Sequence, residues 1–87
     1  AKIALDISKA KSDYELAIDT YQNKQNSLNL SERIERKNEI KFKEGLASSF
    51  ELRQAQMQLY TAQQEYLQAM VAVINTKATL ENLLNIK

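Results

Sequence analysis

Apolar and small residues recur at alternating steps of four and three from Ile3 through Ile7, Ala10, Tyr14, Ala17, Tyr21, Lys24, Leu28, Ser31, Glu35, Asn38, Phe42 and Gly45. A mean repeat of about 3.5 residues keeps one stripe of a helix turned toward a partner along its whole length, which is the mark of a coiled coil. The stripe divides by size. Ala10, Ala17, Ser31, Asn38 and Gly45 lie on one seven-residue track, with Lys24 the exception. Ile7, Tyr14, Tyr21, Leu28 and Phe42 lie on the other, with Glu35 the exception. The polar stretch Gln22 to Ser27 has poor helix propensity, and the helix is expected to loosen or bend there without ending, because the rhythm resumes in phase at Leu28.

A second seam repeats the device: Leu52, Ala55, Leu59, Ala62, Tyr66, Ala69, Val73, Thr76, Leu80 and Leu83. Between the seams lies the stretch from Phe42 to Leu52. It holds Gly45, the single glycine of a chain without proline. Glycine suits the residue just past a helix end, where the backbone turns left-handed. Ser48 and Glu51 have the spacing of a capping box, with Ala47 and Leu52 placed for a hydrophobic staple. The reading is therefore all-α: one long antiparallel two-helix coiled-coil hairpin over residues 1–87, with a helix at 2–44, a turn at 45–47 and a helix at 48–86. Equal spacing from the turn puts Ala17 against Ala69.

Helix two carries a second apolar stripe off the seam: Phe50, Met57, Tyr60, Leu67, Val71 and Ile74. A two-stranded coiled coil needs only one, so a wider arc implies further helical neighbours. It also predicts that the chain alone self-associates, most simply as a two-fold antiparallel or side-by-side four-helix arrangement. Charge is lopsided in the same sense. The first 44 residues hold nine basic and eight acidic side chains, whereas Glu65 is the one charge from Gln54 to Thr76. Helix one reads as an outer, solvated helix and helix two as one enclosed on several sides.

Composition narrows the function by exclusion. Twelve Lys and Arg against eleven Asp and Glu give a net charge of +1, so there is no bulk electrostatic case for nucleic acid or anionic lipid. Cysteine and histidine are absent, which removes thiolate chemistry and ordinary zinc sites. The carboxylates alternate with lysines at solvent-facing positions, and Ser48 and Ser49 have no partner to activate them. No enzyme, metal or cofactor is expected. The longest apolar run, Ala69 to Ile74, is six residues, so this segment is not expected to span a bilayer. The opening Ala-Lys-Ile-Ala-Leu-Asp is already in helical rhythm and reads as the start of a piece of a longer protein.

The ordered string Phe42-x-x-Gly45-x-x-Ser48, Glu51-Leu52-x-x-Ala55-Gln56-x-x-Leu59-x-x-Ala62-Gln63-x-x-Tyr66-Leu67-x-Ala69, Lys77-Ala78-x-Leu80-Glu81-x-Leu83-Leu84 resembles the outer-membrane efflux protein family. These are the TolC-like exit ducts, and the match is to the second of their two long periplasmic hairpins. Leu28-x-Leu30-Ser31-Glu32-x-Ile34 fits the preceding helix. The likeness covers nearly the whole chain and is strongest from Leu28 to Leu84. It implies the periplasmic portion of an outer-membrane protein of the Gram-negative envelope, a homotrimer whose tunnel wall is built of hairpins packed side by side. It further implies a tip that docks a membrane-fusion adaptor and, through it, an inner-membrane pump, in tripartite efflux or type I secretion. On this resemblance the docking tip is Glu44, Gly45, Leu46, Ala47, Ser48 and Ser49. Some members carry two acids three residues apart at the tunnel mouth. Here those positions are Glu51 and Gln54, which keep one acid of the two.

Two alternatives stand beside it. Adaptor hairpins share Gly-x-x-Ser followed by Glu-x-x-x-Ala, met here by Gly45, Ser48, Glu51 and Ala55. Their pattern of arginine, leucine and serine at seven-residue steps is met only by the last of Ile34, Lys41 and Ser48. An unrelated structural coiled coil or helical bundle would require neither the tip glycine nor the second stripe.

Overall fold

Alanine, leucine, glutamine, lysine and glutamate favour helix, and this chain forms little else. The computed structural model describes residues 2–85, with helices α1 (Lys2–Lys43) and α2 (Ser49–Asn85). The all-α two-helix hairpin expected from the pattern is the fold found. Glu44 and Ser48, expected at the two helix ends, stand one residue outside them as caps, and Ile86, the expected last residue of the second helix, lies outside the described residues. α1 passes unbroken through Gln22–Ser27.

The helices run antiparallel in a rod of 65 × 14 × 13 Å. Its length is that of α1, whose 42 residues at ~1.5 Å each make about 63 Å. Register is fixed near the middle. The Tyr21 and Tyr66 hydroxyls share a hydrogen bond of 2.8 Å, and their rings lie 5.2 Å apart at a tilt of 31°. One turn on, Lys24 Nζ donates to Glu65 Oε2 at 3.0 Å. The lysine that interrupts the small track thus reaches the one charge in the central part of α2. These two cross-links sit where the polar stretch begins, and they join α1 to α2 where the α1 seam carries a lysine. Each seven-residue step along α1 is matched by a step of seven back along α2. Tyr14 therefore falls level with Val73 and Leu28 with Leu59, and Ala10, which shares a groove with Thr76, lies one such step from the expected pairing of Ala17 with Ala69.

The buried residues among those described are five alanines, Ala10, Ala17, Ala55, Ala62 and Ala69, each 4–8% exposed. A two-helix rod has no interior wide enough to enclose a large side chain. Only a methyl group pressed between the backbones can vanish from solvent, and the large seam residues cover its flanks half-buried. Two other polar residues on the seam bond within their own helix. Asn38 Nδ2 donates to the Ile34 carbonyl at 2.9 Å and Thr76 Oγ1 to that of Ala72 at 2.7 Å. Neither leaves an unpaired group between the helices. Three further ion pairs, Lys9–Asp13, Glu39–Lys43 and Lys77–Glu81, are four residues apart and exposed, worth about 0.3–0.5 kcal/mol each at most.

Two outcomes test this packing. Ala69→Leu should destabilise the hairpin by about 1–3 kcal/mol through overpacking. Ala72→Leu, on an exposed position of the next turn, should stay within ~0.5 kcal/mol of the parent in the same urea titration. The Tyr21 hydrogen bond, with partial desolvation and repulsion from an ionised Tyr21, raises the Tyr66 phenol above its ordinary value of 10.0. The folded chain then holds that proton more tightly than the unfolded one. Stability is full below pH 10 and falls as pH rises through the elevated value. Tyr21→Phe should flatten that alkaline decline, measured by circular dichroism across the range.

Candidate functional site

The tip is built by two caps that meet. At the end of α1 the Leu46 amide donates to the Lys41 carbonyl at 2.8 Å and the Gly45 amide to the Phe42 carbonyl at 3.0 Å. This nested pair is the Schellman arrangement, in which the first of the two donor residues is left-handed. Gly45 is that residue, at φ 75°, the sole positive φ among the described residues. Ser48 then opens α2. Its Oγ accepts from the Glu51 amide at 3.1 Å and its carbonyl from the Leu52 amide at 3.1 Å. The first bond of the expected capping box is therefore formed. Its return, from the Ser48 amide to the Glu51 carboxylate, is not made among the described residues. Ala47 and Leu52 are both half-buried, as a staple across the cap requires.

All six residues expected at the tip lie together in this turn. Glu44, Gly45, Leu46, Ser48 and Ser49 are exposed and Ala47 is half-buried. A β-carbon placed on Gly45 would meet nothing within 4 Å, so the glycine is required by backbone angle alone and the space over it is open. Leu46 is 73% exposed and Phe50 70%. The turn thus ends in two large apolar side chains facing water on either side of its polar cap residues.

Phe50 was legible as part of the second stripe, but not as part of the tip. Phe42 departs from expectation in the same direction. The seam places it inward, yet it is exposed. Its level on the facing side falls at Gly45, which has no side chain to cover it. Glu51 and Gln54 stand one turn beyond the cap and share a shallow groove between the helices with Ile34, Asn38, Ala55 and Gln58. They sit on one side of the seam, so whatever faces one of them faces both.

Among the described residues no three His, Cys, Asp or Glu side chains gather as metal ligands, and no buried polar side chain lacks a partner. The depressions in the surface are open grooves along the line where the helices meet. No described helix is long and apolar enough to cross a membrane. No protein-family model, curated protein or solved structure matches this chain at a significant level.

The caps make separable contributions that can be measured. Ser48→Ala should cost about 1 kcal/mol by removing the acceptor for Glu51, and Ser48→Asp should restore most of it. Gly45→Ala should cost roughly 1 kcal/mol through its positive φ. Urea titration of the single variants gives each value directly.

Proposed function

We propose that the chain is a periplasmic tunnel-wall hairpin of a TolC-like outer-membrane exit duct. Its tip docks a membrane-fusion adaptor and, through it, an inner-membrane pump. The observation that carries this reading is the tip itself. A tight turn with open space above Gly45 carries exposed Leu46 and Phe50 around the Gly-x-x-Ser motif, which suits end-to-end contact with another hairpin.

Two further features support it. The rod of 65 Å is of a length suited to a periplasmic wall element. The apolar stripe of α2, every member at least half exposed in the single hairpin, lies about 150–160° around the helix from the α1 seam, at ~100° per residue. α2 then has a face for a second helical neighbour, as a hairpin inside a ring of hairpins requires. In this reading the parent protein is a trimer in the outer membrane, and Glu51 and Gln54 lie near the tunnel mouth.

The test is Gly45→Trp in the full-length duct. A β-carbon at Gly45 meets nothing within 4 Å, so the cost expected within the protomer is the backbone strain of a side chain at φ 75°. Trimer abundance in the outer membrane should be unchanged while efflux of a pump substrate is lost, because the indole occupies the docking space. Normal abundance with normal efflux would show that this turn is only a turn.

A further inference from the structure

The outer face of α2 has a pattern that the single hairpin does not use. One of its two seven-residue tracks reads Arg53, Tyr60, Leu67, Ile74 and Glu81: basic at one end, acidic at the other, three apolar residues between, centred on Leu67. Tyr60, Leu67 and Ile74 are all half exposed or more. The companion track reads Phe50, Met57, Gln64, Val71 and Ala78. Beside them, between Gln54 and Thr76, the sole charge is Glu65, which turns to Lys24 across the α1 seam instead.

We propose that in the 87-residue chain by itself, where no neighbouring hairpin covers this face, it binds a second copy of the same chain, α2 against α2 and antiparallel, with Leu67 on the two-fold axis. Charge decides the orientation. In a parallel two-fold pair identical residues stand level, so Arg53 meets Arg53 and Glu81 meets Glu81. Reversing one helix about Leu67 sets Arg53 of each copy against Glu81 of the other, twice per dimer, and sets Tyr60 against Ile74. The companion track then places Met57 near Ala78 and Gln64 near Val71, large beside smaller.

Both charged groups are free to take these roles. Arg53 forms no ion pair among the described residues, and Glu81 meets Lys77 only at 4.0 Å, with both side chains more than half exposed. The neutral flanks, chiefly Gln56, Gln63, Gln68 and Asn75, bring no like charges together at the centre. The same heptad spacing that α2 offers α1 is thereby offered to another α2, which gives a four-helix assembly with both α2 helices inside. This inference rests on the stripe and its terminal charges and does not depend on any docking role of the tip.

Sedimentation of the 87-residue chain over the micromolar range should show a dimer. Leu67→Glu, at a position half exposed in the hairpin, should keep its helicity by circular dichroism and weaken dimerisation at least ~100-fold by setting two carboxylates on the axis. Arg53→Glu and Glu81→Arg should each weaken it roughly two- to fivefold, and the double exchange should recover the parent value. Cysteines report the orientation cleanly because the chain has none. A mixture of Tyr60→Cys and Ile74→Cys should crosslink between the two variants, and Tyr60→Cys alone should not. A monomeric parent at high micromolar concentration, an undiminished dimer in folded Leu67→Glu, or self-crosslinking of Tyr60→Cys would each overturn the proposal.

Discussion

Everything in this hairpin depends on the close approach of two helix backbones over a ladder of alanines. Ala10 and Ala17 on α1, with Ala55, Ala62 and Ala69 on α2, are the most buried of the described residues. Their small size sets how near the axes come. It also sets how much of Tyr14, Leu28, Leu59 and Val73 can fold over the gap. Widening the ladder by one large side chain would lift those neighbours from their partners together, because they are carried on the same two stiff rods. Stability here is distributed along a line, with no central mass of core to absorb a local error.

The seam was almost wholly legible in the sequence because it is a periodic property of one helix at a time. Burial follows it closely: from Ile7 to Asn38, and from Leu52 to Leu83, its members are buried or half-buried. The exceptions fall at the ends. Phe42 faces Gly45 and Ile3 faces the last turn of α2, so both lack cover. What periodicity cannot reveal is which residue of one helix meets which of the other. The Tyr21–Tyr66 and Lys24–Glu65 pairs depend on the exact length of the turn, and a shift of a few residues in that length would dissolve them. Lys24 consequently reads as a flaw in the pattern until Glu65 is placed beside it.

The tip was legible for a different reason. Gly45 and Ser48 act on hydrogen bonds within five residues of themselves, so local rules suffice to place both caps. The aromatic and aliphatic surroundings are another matter. Phe50 belongs by period to the outer stripe and by location to the tip, and only the three-dimensional turn joins those two memberships. It links the end contact of the proposed docking with the side contact of the proposed wall, so one residue stands at the corner of two surfaces.

Because the ladder repeats every seven residues, the hairpin can change length without changing its contacts. Deleting one heptad from α1 and the heptad level with it from α2, away from Tyr21, Lys24, Glu65 and Tyr66, brings small side chain back to small and large back to large. The rod then shortens by about 10 Å at ~1.5 Å per residue. Deleting from one helix alone leaves the two out of step. Such a rod can be resized only in quanta, with the turn and its caps untouched at one end, and the reach of the tip becomes an inheritable dimension set by counting paired heptads.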